Sequence, residues 1–211
     1  MQISASFLGI KDNIKENINK LTKTNIDYLH LDIMDGKFVT NKTYDIEQIV
    51  KIINYDKPLD IHLMVLDVYK YIDAFKVLKP FMITFHYEVK DDIMNIINYL
   101  KKLNIKAGLS IKPQTDITLI EPFLPFLDLV LIMGVNPGKG GQKLIDTSIS
   151  KIKLLKKLRD INNYSYLISV DGGINDETIK LVKDADIAVM GSYITTGDYK
   201  QNVDKIKGGI L

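Results

Sequence analysis

Short runs of β-branched and other apolar residues recur along the chain, and polar segments rich in lysine and asparagine separate them. Within these polar segments apolar residues return at helical spacing, as at Ile14, Ile18 and Leu21. The alternation predicts a strand followed by a helix, eight times over. The predicted strands are residues 2–8, 27–34, 58–64, 81–86, 106–111, 128–133, 165–171 and 186–191, and one predicted helix runs from about 143 to 159.

Repeated alternation of strand and helix requires parallel strands joined by helical crossovers. Eight such units in 211 residues predict an α/β fold, a (β/α)₈ TIM barrel, near the lower size limit of that architecture. An open doubly wound sheet is the alternative, although it would use only the strand ends at its switch point. Polar residues follow nearly every run, and a barrel gathers all those ends on one face, which favours the barrel. No linker-like stretch interrupts residues 1–211, so we expect a single domain.

Composition narrows the classes of function. The 28 basic and 26 acidic residues are spread along the chain without an arginine cluster, which argues against a nucleic-acid partner and fits small anionic ligands. No cysteine is present, so disulfides, thiolate metal sites and a cysteine nucleophile are excluded. The first residues lack the pattern of a signal peptide, and no apolar run approaches the roughly 20 residues of a membrane helix. We therefore expect a cytoplasmic protein without a membrane partner.

Two histidines and two aspartates stand at predicted strand ends. His30 and Asp32 are two residues apart, so on a strand both side chains point into the barrel mouth. His62 ends the third strand and Asp171 the seventh. Together the four could hold one divalent metal ion, Zn²⁺ or Fe²⁺ foremost and Mn²⁺ or Co²⁺ also compatible. The alternative is that the histidines are half-buried and bonded to the backbone.

Three glycine-containing loops follow the sixth, seventh and eighth strands. Glycine lets backbone N–H groups close on an anion at the start of a helix, and the loops after strands seven and eight are the usual phosphate site of such barrels. Tight turns would also account for each glycine pair taken alone. Lys139 could add a charge to the phosphate or could be a solvated tip. The candidate phosphate ligands are Gly138, Lys139, Gly140, Gly141, Gly172, Gly173, Gly191 and Ser192.

Other polar and soft side chains also stand near strand ends. Met34, Met64 and Met133 end strands two, three and six, where they could form the floor of a pocket or simply fill the barrel. Asp35, before Gly36, is expected to stabilise a turn. His86 ends the fourth strand, and with Glu88 it could bound the pocket.

At these positions the chain resembles the ribulose-phosphate 3-epimerase family along nearly its whole length. The resemblance rests on five ordered blocks, namely Ile-Ser-Ala-Ser-Phe-Leu, His-Leu-Asp-Ile-Met-Asp-Gly-Lys-Phe-Val, Leu-Asp-Ile-His-Leu-Met-Val, Met-Gly-Val-Asn-Pro-Gly-Lys-Gly-Gly-Gln and Val-Asp-Gly-Gly-Ile-Asn. The departures are Ala5 and Thr40, where the family usually has proline, and Lys139, where it commonly has phenylalanine.

The resemblance implies roles for individual residues. Asp32 and Asp171 would transfer the protons, and with His30 and His62 they would bind the metal. Ser6 would touch substrate, the glycine loops would hold phosphate, and the chain would form a homo-oligomer. We further expect His62 and the three methionines to contact the substrate.

Epimerisation beside a ketone removes a carbon-bound proton and returns it to the opposite face, which two carboxylates on either side of the substrate can do. The implied reaction is the metal-dependent interconversion of D-ribulose 5-phosphate and D-xylulose 5-phosphate in the pentose phosphate pathway. A hexulose 6-phosphate such as D-allulose 6-phosphate is an alternative substrate, to which Lys139 could be related. A phosphate-binding decarboxylase or isomerase of another barrel class, or an inactive ligand-binding barrel, also stays open.

Overall fold

The computed structural model describes residues 1–53 and 56–209. Eight parallel strands close into one barrel in chain order, each paired with its neighbours, and β1 pairs with β8. The barrel prediction is confirmed, and the strand limits differ from those predicted by at most two residues. The strands are β1 (Gln2–Ser6), β2 (Tyr28–Met34), β3 (Leu59–Met64), β4 (Met82–His86), β5 (Lys106–Ile111), β6 (Leu129–Met133), β7 (Leu167–Asp171) and β8 (Ile187–Met190).

Six α-helices lie among the described residues, not the eight predicted. After β5 the chain forms two short 3₁₀ helices, Ile117–Leu119 and Glu121–Phe126, because Pro122 and Pro125 remove the N–H donors that an α-helix needs. After β7 it forms the 3₁₀ helix Thr178–Val182. The α-helices are α1 (Ile14–Thr22), α2 (Ile46–Ile52), α3 (Val68–Phe75), α4 (Ile93–Lys102), α5 (Asp146–Asn162) and α6 (Tyr199–Gly209).

Helix α5 begins three residues later than predicted. Ile145 is still extended, with φ −90° and ψ 126°, because its N–H donates to the Gly134 carbonyl at 2.8 Å and ties the loop back to the end of β6. The residues before Asp146 therefore belong to the loop, which lengthens the segment available to a ligand. None of the helices in the described ranges is long and apolar enough to cross a membrane.

The barrel has an outer and an inner packing layer. Alternate strand residues such as Leu29, Leu31 and Ile33 are buried against the helices, as period-two alternation requires. Inside the barrel, Leu131, Ile187 and Val189 belong to one apolar cluster on β6 and β8, while β7 carries the buried Ser169 and the half-buried Asp171. Most of the buried polar side chains of the strands lie on β1 to β5, namely Ser4, Ser6, His30, Asp32, Asp60, His62, Thr84, His86 and Ser110.

Strand register brings the site residues to one level of the barrel. Asp32 on β2 pairs with His62 on β3, and His30 pairs with Asp60 one step below. On the other side Asp171 on β7 pairs with Met133 on β6. The carboxyl ends of parallel strands meet at one face of a barrel, so this level lies at the mouth.

Candidate active site

A cavity of about 1370 Å³ opens at the carboxyl ends of the strands. The two aspartates at its floor are Asp32 and Asp171, and the three strand-end methionines line it beside them. The methionines are at most 3% exposed, so they offer a soft apolar surface rather than a solvated rim. The cavity walls include Ser6 and all the predicted phosphate ligands, which are Gly138, Lys139, Gly140, Gly141, Gly172, Gly173, Gly191 and Ser192.

Four side chains converge at the cavity floor and just below it. One ligand atom from each of His30, Asp32, His62 and Asp171 lies within 4.8 Å of all the others. Asp32 Oδ1 is 3.2 Å from His62 Nδ1 and 3.4 Å from His30 Nε2, and Asp171 Oδ2 is 3.5 Å from His62 Nδ1. Both histidines are fully buried beneath the aspartates and do not line the cavity. The four residues predicted from strand ends are therefore brought together, with His62 below the level at which Asp32 and Asp171 meet the cavity.

The electrostatics of the cluster follow from burial and from close opposite charges. Burial opposes protonation of His30, but the carboxylates of Asp60 and Asp32 outweigh it and raise its pKa well above the usual value. Burial likewise opposes protonation of His62, whose pKa Asp171 and Asp32 raise. For Asp32, burial favours the neutral acid, but the two histidines dominate and lower its pKa. The cluster thus favours an ionised Asp32 facing positive charge.

A divalent cation fits the donor set. His30 Nε2 is buried and faces Asp32 Oδ1 at 3.4 Å, but this contact lacks hydrogen-bond geometry, so the nitrogen has no hydrogen bond in the described part of the chain. A buried nitrogen without a partner is costly, and two imidazoles with two carboxylates match the nitrogen and oxygen ligands of zinc and related divalent ions. These residues could therefore hold one metal ion.

Outer contacts hold the cluster in place. Asp60 Oδ2 lies 2.8 Å from His30 Nδ1 and accepts a hydrogen bond from the Ser4 hydroxyl at 2.7 Å. The Ser6 hydroxyl donates to Asp32 Oδ2 at 2.8 Å. A carboxylate behind a ligating imidazole fixes its tautomer and ring orientation. The sequence analysis missed Asp60, although it stands two residues before His62 on β3, the same spacing that identified His30 beside Asp32.

His86 and Glu88 do not bound the cavity as predicted. His86 is fully buried behind His62, its Nε2 lies 2.9 Å from His62 Nε2, and neither residue is among those that line the cavity. The prediction placed His86 at the pocket because it ends β4, but the imidazole of His62 lies between His86 and the two aspartates. Burial lowers the pKa of His86 to about 4. Asp35 accepts from the N–H groups of Lys37 and Phe38 at 2.8 Å, so it stabilises the turn, as predicted.

The loop after β6 is braced from two sides. The Gln142 side-chain amide donates to the carbonyls of Asn136 at 2.7 Å and Lys139 at 2.9 Å, and the Asn41 amide from the β2 loop donates to the Gly138 carbonyl at 2.7 Å. Lys139 itself is exposed at the cavity rim and makes no ion pair with any described residue. The loop therefore presents glycine backbone and two cations to the cavity, because Lys143 also lines it, is exposed and makes no ion pair with any described residue.

The loop after β7 approaches the β6 loop too closely for a side chain. Gly173 has φ +73°, and a Cβ there would lie 2.3 Å from the Leu144 backbone nitrogen. After β8, Thr195 N–H donates to the Gly191 carbonyl at 3.0 Å, which starts a helical turn at Ser192. The first N–H groups of such a turn are not used within it and can meet an anion. Leu144, which the sequence analysis did not single out, is thus the residue against which Gly173 packs.

Comparisons with known proteins identify the family of this chain. A match to the ribulose-phosphate 3 epimerase family covers residues 2–195. The chain is 37% identical over 212 residues to a ribulose-phosphate 3-epimerase of Bacillus subtilis, covering 98% of this chain and 95% of the relative. It is 40% identical over 202 residues to one of Aquifex aeolicus, covering 94% of this chain and 91% of the relative.

Solved structures share the fold at low identity. The N-(5'-phosphoribosyl)anthranilate isomerase of Pyrococcus furiosus superposes with a TM-score of 0.66 at 16% identity, covering 100% of this chain and 98% of the other. At that identity the likeness concerns the barrel alone. The family match and the two relatives carry the assignment, and by them the chain belongs to the ribulose-phosphate 3-epimerase family.

Proposed function

We propose that this protein is a metal-dependent isomerase that interconverts D-ribulose 5-phosphate and D-xylulose 5-phosphate in the pentose phosphate pathway. Family membership supports the reaction class. The observation that carries the proposal is the convergence of two carboxylates and two imidazoles under a cavity walled by three glycine loops. That arrangement supplies acid and base groups at one end of a ligand and backbone donors at the other.

Asp32 and Asp171 are the proposed proton-transfer residues. They reach the cavity floor from β2 and β7, which β8 and β1 separate in the barrel. One carboxylate takes the proton from carbon 3, and the other, held as the acid, delivers a proton to the opposite face of the enediolate. The Ser6 hydroxyl, which donates to Asp32 Oδ2, orients that carboxylate.

His30, Asp32, His62 and Asp171 are the proposed ligands of one divalent ion per subunit. When bound, such an ion supplies Lewis-acid stabilisation of negative charge on the substrate oxygens. Asp60 lies behind His30 and holds its imidazole ring in one orientation through a 2.8 Å contact with Nδ1. The chemistry of the donor set supports Zn²⁺, Fe²⁺, Mn²⁺ or Co²⁺.

The remaining residues bind and position the sugar. The loops at Gly138 to Gly141, at Gly172 and Gly173, and at Gly191 and Ser192 hold the phosphate, so that remote binding energy places carbon 3 between the two acids. Met34, Met64 and Met133 cover the planar intermediate with apolar surface and exclude water from it. We also propose that the chain is one catalytic domain and works as a homo-oligomer, which size-exclusion chromatography with light scattering would test.

Variants that lack one of the two carboxylates test the scheme in which Asp32 and Asp171 each transfer a proton. Asp32→Asn and Asp171→Asn should each lose turnover by several orders of magnitude, while Glu177→Gln, an exposed acid that also lines the cavity, should keep it. In deuterated water each aspartate variant should exchange the carbon 3 proton of only one epimer, and the two variants should differ in which one. Either variant turning over at a near-normal rate would rule out the scheme.

A hexulose 6-phosphate such as D-allulose 6-phosphate is the second candidate substrate. The observation that favours it is Lys139, a cation at the cavity rim where the family commonly has an aromatic residue. The ratio of kcat/KM for the two sugars decides between them, because discrimination between substrates is a difference in transition-state binding.

A further inference from the structure

Behind His62, the buried His86 and the half-buried Glu88 form a hydrogen-bonded chain. His86 Nε2 lies 2.9 Å from His62 Nε2, and His86 Nδ1 lies 3.1 Å from Glu88 Oε2. Both rings are 0% exposed, so no solvent competes for their nitrogens. The chain leads outward from the cluster and ends at a carboxylate, as the contact of His30 with Asp60 does.

At the outer end of this hydrogen-bonded chain, the Glu88 carboxylate only accepts hydrogen bonds. Glu88 Oε1 accepts from the Lys112 backbone N–H at 2.8 Å and from the Thr115 hydroxyl. Burial opposes ionisation of Glu88, but hydrogen bonds from His86, Thr115 and Lys112 lower its pKa to about 2. An ionised carboxylate has no proton to donate, so Glu88 Oε2 can meet His86 Nδ1 only if that nitrogen carries a proton.

The proton on His86 Nδ1 in turn determines which nitrogen of His62 is protonated. A neutral His86 with its proton on Nδ1 has a lone pair on Nε2, and two nitrogens 2.9 Å apart share a single proton. The proton between the rings therefore belongs to His62 Nε2. The neutral His62 ring is then left with its lone pair on Nδ1, the atom that faces Asp32 at 3.2 Å and Asp171 at 3.5 Å.

We propose that His86 and Glu88 are positioning residues that hold His62 in the Nε2–H tautomer, so that its Nδ1 lone pair is aimed at the cluster. Phe38 helps to hold the chain rigid, since its ring lies 4.7 Å from that of His86 and the Lys112 ammonium lies 4.1 Å from the Phe38 ring centre. The inference rests on the metal site of the proposed function, because the Nδ1 lone pair of this tautomer is what a metal ion would bind.

The substitution Glu88→Gln should reverse the direction of the hydrogen bonds that join residue 88, His86 and His62. The Lys112 N–H is a backbone donor that cannot be turned into an acceptor, so the amide oxygen of the variant faces Lys112 and its NH₂ group faces His86. His86 must then accept at Nδ1 and carry its proton on Nε2, which forces the Nδ1–H tautomer on a neutral His62. Thr115→Val is the matched control, because it removes a hydrogen bond to the same carboxylate without changing what Oε2 accepts.

Nitrogen-15 NMR of the full chain reads the tautomers directly, and with three histidines in the sequence the imidazole spectrum is simple to assign. In metal-free wild type and in Thr115→Val, His86 should be protonated at Nδ1 alone, and in Glu88→Gln at Nε2 alone. Competition with a chromophoric chelator should show Zn²⁺ bound about 10- to 100-fold more weakly by Glu88→Gln and nearly unchanged by Thr115→Val.

Wild-type His86 protonated at Nε2 would overturn the inference, and this measurement needs no variant to fold. Unchanged Zn²⁺ affinity in Glu88→Gln would also overturn it, as would an equal loss in Thr115→Val, which would indicate a structural role alone. None of these results depends on turnover of a sugar. A wild-type protein inactive on ketose phosphates would refute the proposed reaction and leave the tautomer assignment intact.

Discussion

Replacing Asp60 tests how much of the cluster depends on a residue that never reaches the cavity. Asp60 is 3% exposed, and both of its hydrogen bonds, with His30 Nδ1 and from the Ser4 hydroxyl, meet the same oxygen, Oδ2. In Asp60→Asn the amide oxygen can take that position, so both contacts survive and only the charge is lost. In Asp60→Ala both buried partners are left without an acceptor.

Asp60→Ala should therefore lose more stability and more Zn²⁺ affinity than Asp60→Asn. A hydrogen bond to a charged group stabilises by about 1 kcal/mol more than a neutral one, so Asp60→Asn should lose about 2 kcal/mol over its two bonds. A buried polar group left unpaired costs about 1–3 kcal/mol, so Asp60→Ala should lose about 4 kcal/mol. Loss of the outer partner should weaken Zn²⁺ binding about tenfold in the first variant and nearer 100-fold in the second.

Urea unfolding monitored by circular dichroism gives the stabilities, and chelator competition gives the Zn²⁺ affinities. Asp128→Asn is the control, because the half-buried Asp128 also accepts a hydrogen bond, from Ala107 N–H at 2.9 Å, but lies just before β6, at the opposite end of the strand from the cluster. It should lose stability without losing affinity. If Asp60→Ala bound Zn²⁺ as tightly as wild type, the orienting role of Asp60 would be wrong.

Three further predictions follow from individual contacts. Gly173→Ala should destabilise the protein by at least about 2 kcal/mol in urea, because the new Cβ meets the Leu144 nitrogen at 2.3 Å in a left-handed conformation, and surviving protein should show a raised KM. Lys139→Ala should lower kcat/KM for a ketose phosphate more at 10 mM salt than at 1 M, because salt screens an exposed cation; equal loss at both would contradict an electrostatic role. The stability advantage of wild type over Glu88→Gln should be full above the ordinary pKa of 4.5 and should be lost as pH falls from there to about 2, which urea unfolding at pH 7 and pH 3 would show.

The strands could be predicted from sequence because each is a short apolar run with polar segments on both sides, and burial on two faces leaves no other use for such a run. The helices after β5 and β7 could not, because apolar spacing alone does not distinguish an α-turn from a 3₁₀ turn. Pro122 and Pro125 were the available signal for the first. For the second, the residues between Gly173 and β8 contain no proline or glycine, so the sequence offers no such signal for the 3₁₀ helix Thr178–Val182.

The site shows the same division between local and long-range information. His30 with Asp32 is visible as an alternation within one strand, which is a local pattern. That His86 lies behind His62, rather than in the cavity, depends on how the β3 and β4 side chains share the barrel interior, and no spacing within either strand reports it. Asp60 lies between these cases, since its inward direction was predictable from His62 but its partner on β2 required the register of the two strands.

In the proposed assignment the metal ligands are carried by strands and the phosphate donors by loops, and the rigidity that each ligand needs explains this division. Ligand atoms must be held to a fraction of an ångström, and a strand hydrogen-bonded on both sides with buried partners behind each imidazole provides that rigidity. A phosphate is larger, symmetric and satisfied by any converging N–H groups, so glycine loops are adequate for it. Burying His30, Asp32, Asp60 and His62 together costs desolvation that an apolar interior would avoid. The apolar layer under the helices and the inner cluster of Leu131, Ile187 and Val189 must therefore supply the stability that the burial of these polar groups costs.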